Sequence, residues 1–149
     1  MWPVSSPIPR RTALLRESEA LLVSAPGGAS VSGDIWLAKA KIALARFLDG
    51  EPDQLPIALT AFAMADHFRP NDADVLTPWS VALLRDGQPA RARDLAGRVL
   101  ARNPRDWLAW AVVARASGQM GDLEKAKGAA AEARRLVPPG RAAFLERFL

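Results

Sequence analysis

Side chains able to do covalent chemistry are scarce in this chain of 149 residues. There is one histidine, His67, and no cysteine. A thiol nucleophile, a disulfide and a thiolate zinc site are therefore excluded. The sequence has no G-x-S-x-G, no glycine loop of the kind that cradles phosphate, and no metal-ligand spacing. Gly27-Gly28 is followed by no strand pattern. Glu17 and Glu19 are two apart, so on a helix they point to different sides and cannot share a proton. Glu124 and Lys127 read as an ordinary helix-surface pair. His67 reads as a surface or partly buried side chain. The expectation is a chain that is not an enzyme, with no cofactor and no metal.

Charge offers a different chemistry. The net charge is +4, and the excess lies in residues 71–149, where thirteen Lys and Arg meet nine Asp and Glu, against seven of each in residues 1–70. Arg91, Arg98, Arg102 and Arg105 are spaced by seven, four and three, which puts them on one side of a helix and its exit. Such a stripe can attract nucleic acid or an anionic surface. Asp94 lies close, however, and no aromatic residue interleaves with the arginines. Nucleic acid is therefore not expected as a partner. The longest uncharged stretch in the middle of the chain, LPIALTAFAMA (55–65), is about half of a membrane span. The N-terminal stretch MWPVSSPIPRRTALLRES has no apolar run long enough for a signal-peptide core. A cytoplasmic protein with no membrane span is expected.

The elements that carry these residues follow from a repeat. Pro70, Pro104 and Pro138 are 34 residues apart, and so are Ala58, Ala92 and Ala126. Gly87 and Gly121 keep the same step. Alanine suits places where two helices cross closely. Glycine can take the left-handed conformation that ends a helix, and proline cannot continue one. Asp72 and Asp106, each two residues past a proline, are placed to cap the next helix. Trp107 and Trp110, three apart, share one face of that helix and are expected in the core.

A 34-residue period of this kind resembles the tetratricopeptide repeat family. GQPARARDLAGRVLARNP (87–104) and GDLEKAKGAAAEARRLVP (121–138) carry its Gly, its Ala five residues on, and its closing Pro. IALTAFAMADHFRP (57–70) gives its Ala, aromatic, Ala and Pro as Ala58, Phe62, Ala65 and Pro70. Trp110 stands where the family prefers Trp early in a first helix. The resemblance covers roughly residues 34–138. It implies an all-α, right-handed solenoid of three helix-turn-helix repeats, about 34–70, 71–104 and 105–138.

Some segments depart from the pattern. Gly50 to Ala58 is eight residues, against five in the other repeats, so the first repeat carries an insertion at DGEPDQLP (49–56). The helix WLAKAKIALARFL (36–48) is expected to turn Leu37, Ala40, Leu44 and Phe47 inward and to leave Lys39 and Arg46 outside. Pro78 interrupts the first helix of the second repeat. That helix is expected to start late, with Thr77 as cap, or to kink. Solenoid ends need covering. TALLRESEALL (12–22) lines up Leu14, Leu15, Leu21 and Leu22, and GRAAFLERFL (140–149) groups Phe144, Leu145, Phe148 and Leu149. Residues 1–33 read as a tail with the first of these helices and a flexible linker, SAPGGASVSGD (24–34). Residues 34–149 read as the repeat domain, capped by 140–149.

The resemblance also implies a concave groove lined by the first helix of each repeat. Its positions here are Thr77, Val81, Leu84 and Arg85, then Leu108, Ala111, Arg115 and Gln119. In the first repeat Lys41 and Leu48 are the candidates. The Lys and Asn with which peptide-binding members hold a C-terminal carboxylate are missing; Thr77, Val81, Ala111 and Arg115 stand there. The expected function is a protein–protein interaction scaffold that takes a protein or peptide segment offering apolar anchors and acidic groups, and helps assemble or chaperone a complex. Self-association into a homo-oligomer through the terminal helices is the alternative.

Overall fold

The computed structural model describes residues 28–149; the helix expected over 12–22 lies outside them. Among the described residues there are seven α-helices and no strand. They are α1 (Gly28–Leu48), α2 (Gln54–Phe68), α3 (Ala73–Arg85), α4 (Pro89–Arg102), α5 (Trp107–Gln119), α6 (Leu123–Leu136) and α7 (Ala142–Phe148), with a 3-10 turn at Pro139–Arg141 before the last. The described residues are all-α, as the sequence predicts. None of the described helices is long and apolar enough to cross a membrane.

The helices end where local chemistry ends them. Gly87 and Gly121 have φ of +72° and +81°. Around them the same bonds recur: Gln88 N donates to Leu83 O at 2.9 Å, and Asp122 N to Ser117 O at 2.9 Å. This closure satisfies carbonyls that the end of a helix leaves over. Gly50, with φ +107°, closes α1 in the same way, through Glu51 N and Arg46 O at 3.1 Å. It lies 37 residues before Gly87, so the insertion adds three residues after the turn. The exits of α2, α4 and α6 also match: Arg69 N, Asn103 N and Val137 N donate to Ala65 O, Val99 O and Ala133 O at 2.8–2.9 Å.

Aspartates start the helices that follow. Asp72 accepts from Asp74 N at 2.9 Å, Asp106 from Ala109 N at 3.1 Å, and Asp122 from Lys125 N at 3.2 Å. Each such cap contributes about 1 kcal/mol. Asp72 therefore begins α3 at Ala73, five residues before Pro78, and the late start expected at Thr77 does not occur. Val75, Leu76, Trp79 and Leu83 are buried on both sides of the proline and hold the helix through it. Proline has no N–H, so the Asp74 carbonyl loses its usual helical donor.

The first helix starts earlier than the sequence suggests. It takes in residues 28–35, most of which had read as linker. Tertiary contact overrides the low helix propensity of this stretch. Ser32 is buried, and a Cβ on Gly33 would stand 2.7 Å from Arg69 Cγ and 3.3 Å from Phe68 Cβ. Only a residue without a side chain lets α1 lie this close to the end of α2.

Each helix packs on the next in the chain. In addition α1 touches α3, α3 touches α5, and α7 lies against α5 and α6. The core runs along the whole stack, with Phe62, Leu76, Leu83, Val99, Val112 and Leu145 fully covered. Complete burial of a side chain such as Phe62 is worth about 2–3 kcal/mol. Ala58 and Ala92 are wholly buried, as close helix crossings require, whereas Ala126 is only half-buried. Leu37, Ala40 and Leu44 face inward and Phe47 packs on the core, as expected. Lys39 and Arg46 are half-buried rather than outside, and Lys39 folds back until its Nζ is 5.1 Å from the Trp36 ring. Trp107 and Trp110 sit at the rim of the core, half-buried. The Trp110 indole N–H donates to Pro104 O at 2.8 Å, which ties the helix to the proline turn before it.

Candidate binding groove

Three of the side chains expected to line a groove meet in one place. Lys41 from α1, Thr77 from α3 and Leu108 from α5 border an open cleft of about 450 Å³. Ala73, Asp74, Pro78, Asp106 and Trp107 complete its walls. Of the helices that form it, α3 lies between the other two and touches both α1 and α5. Lys41 contributes an exposed ammonium, Asp74 an exposed carboxylate, and Leu108 and Trp107 an apolar edge. Proline at position 78 adds the Asp74 carbonyl as an acceptor without its helical donor. The Asp106 carboxylate is already engaged as a helix cap. The Thr77 hydroxyl is buried and unpaired.

The remaining positions separate into four kinds. Leu84 of α3 and Ala111 of α5 are buried, and their role is to pack those helices against their neighbours. Val81 is half-buried and Arg85 exposed on the same helix. Arg115 and Gln119 lie further along, at a second open cleft of about 590 Å³ with Ala114, Gly118, Ala126, Lys127, Ala130, Arg134 and Leu149. In that cleft α7 has taken the arginine. Arg115 Nη1 donates to Phe148 O at 3.2 Å. Burial, and then the charge of Arg85, hold the Arg115 guanidinium below its ordinary pKa. Leu48 is exposed at the far end of α1, away from both clefts.

The seating of α7 is specific. Leu145 and Phe148 are buried, while Phe144 turns outward and meets Trp107 edge-on at 6.1 Å. The Arg134 fork donates to both oxygens of Glu146, at 2.7 and 3.2 Å. These bonds raise the Arg134 pKa and lower that of Glu146.

The arginine stripe has structural employment. Arg98 donates to the Asn71 side-chain oxygen through Nε at 2.9 Å and also through Nη2, and Arg102 Nη1 reaches Asn71 O at 3.0 Å. Arg91 bonds Gln88. Arg98 and Arg102 thereby pin α4 to the turn between α2 and α3, where Asn71 has a φ of +58°. No pattern in the sequence marks Asn71. Arg69 is a second anchor that was missed: its guanidinium bonds Asp72 at 2.5 and 2.9 Å and Asp34 at 2.7 Å. The Asp72 bond, more than the other carboxylates, raises its pKa. His67 is exposed at the end of α2, with its ring edge-on to Phe68. Among the described residues no group of three His, Cys, Asp or Glu could hold a metal ion. No protein-family model matches the chain, and no curated protein matches it in sequence.

Proposed function

We propose that this chain is a non-enzymatic interaction module, a right-handed solenoid of three repeats similar to tetratricopeptide repeats, which binds a protein segment across α1, α3 and α5. The observation that carries this reading is the cleft shared by Lys41, Thr77 and Leu108. The turn closures at Gly50, Gly87 and Gly121 and the contacts of α1 with α3 and α3 with α5 support the repeat architecture. The ligand is an extended or helical segment with an apolar anchor against Leu108 and Trp107 and an acidic group for Lys41, with a second acid reaching Arg85. The charges set orientation and selectivity, and the apolar contact supplies most of the affinity. Such a module helps assemble or chaperone the complex to which its ligand belongs.

A displayed peptide library, panned on the full chain and on the Lys41→Glu/Leu108→Glu variant, tests this reading. Peptides combining large apolar residues with Asp or Glu should be enriched on the wild type alone, while both proteins melt alike. Equal enrichment on the two proteins, or none on either, overturns it.

A further inference from the structure

The outer side of α1 carries an apolar line that the rest of the described chain leaves uncovered. Val31 and Ile42 are 48% and 56% exposed, Ala38 and Ala45 are exposed, and Ile35 is half-buried. Their spacings of four, three, four and three place them in one row along the helix. Lys39 and Lys41 stand on opposite flanks of that row. The Lys39 ammonium is buried against the Trp36 ring, so Lys41 is the exposed cation beside the row.

The segment TALLRESEALL, residues 12–22, has the complementary pattern. At helical spacing Leu14, Leu15, Leu21 and Leu22 form one face, and Glu17 and Glu19 flank it on opposite sides. Only residues 23–27 separate this segment from the start of α1. A connection of about five residues makes consecutive helices antiparallel neighbours. Eleven residues are too few for a stable helix in water without a surface to pack on.

We propose that residues 12–22 dock as a helix, antiparallel to α1, with their leucines on Val31, Ile35 and Ala38 and Glu17 on the side of Lys41. A second copy of α1 would have to bind from solution, whereas this segment is tethered five residues away and so is present at a far higher effective concentration.

The chain contains no cysteine, so introduced pairs report proximity cleanly. Leu15→Cys with Ala38→Cys, and Leu22→Cys with Val31→Cys, share one antiparallel register. Leu15→Cys with Ala63→Cys, on the exposed side of α2, is the control for a merely tethered tail. After mild oxidation of the full-length variants, both stripe pairs should link within one chain, several-fold faster than the control. The Leu15–Ala38 link should fall to the control rate when Leu21 and Leu22 are changed to Glu. Links between chains would assign the surface to a second copy and overturn the proposal. Rates equal to the control would overturn it as well.

Discussion

The Arg115 guanidinium donates to the backbone carbonyl of Phe148 and lies 5.4 Å from the centre of the Phe148 ring. One side chain of α5 thus holds both the backbone and the aromatic face of α7. The group is partly desolvated and sits near Arg85, both of which disfavour its charge. The carbonyl and the ring compensate by offering electron density. The C-terminal residues thus form part of the wall of the open cleft at Arg115, whereas none of them lines the cleft at Lys41, Thr77 and Leu108.

Acid should loosen α7. The Arg134 bonds lower the pKa of Glu146 below its ordinary value of 4.5. A carboxylate with a depressed folded pKa stabilises above its unfolded pKa, and that contribution is lost as pH falls through the folded value. Amide exchange of residues 142–148, relative to α2–α4, should therefore rise as pH drops below 4.5. In Glu146→Gln the relative exchange should already be raised at neutral pH and lose this dependence. An unchanged pH profile in that variant would show that the Arg134 pair does not hold α7.

Ser117 should be better as alanine. It is wholly buried, and its hydroxyl has no hydrogen-bond partner. Ser117→Ala removes an unsatisfied polar group and improves helix propensity, a gain of about 1 kcal/mol. The midpoint of chemical unfolding should shift upward. A downward shift would mean that the hydroxyl has a partner, such as a buried water.

The alanines at 34-residue spacing should not be equally sensitive. Ala92 is wholly buried, whereas Ala126 is half-buried and borders the open cleft beside α7. Ala92→Leu should overpack the crossing of α4 with its neighbours and cost about 1–3 kcal/mol. Ala126→Leu should cost under about 0.5 kcal/mol, because its side chain has open space to enter. Denaturant melts of the two variants compare them directly, and equal losses would contradict the packing described here.

The sequence by itself determined where most helices stop and start. Turn closures at Gly87 and Gly121 and caps at Asp72 and Asp106 depend on residues within about five positions, so their chemistry is visible in a linear reading. The spacing of 34 likewise pointed to the buried alanines Ala58 and Ala92, though not to the half-burial of Ala126. The tertiary structure alone decided the early start of α1, which depends on Gly33 meeting Arg69 36 residues away. It also carried α3 through Pro78, since burial on both sides outweighs one lost hydrogen bond. It buried Leu84 and Ala111, left Lys41 open, and gave Arg115 to Phe148. These outcomes turn on which distant surfaces come together, and short-range residue spacing does not encode that.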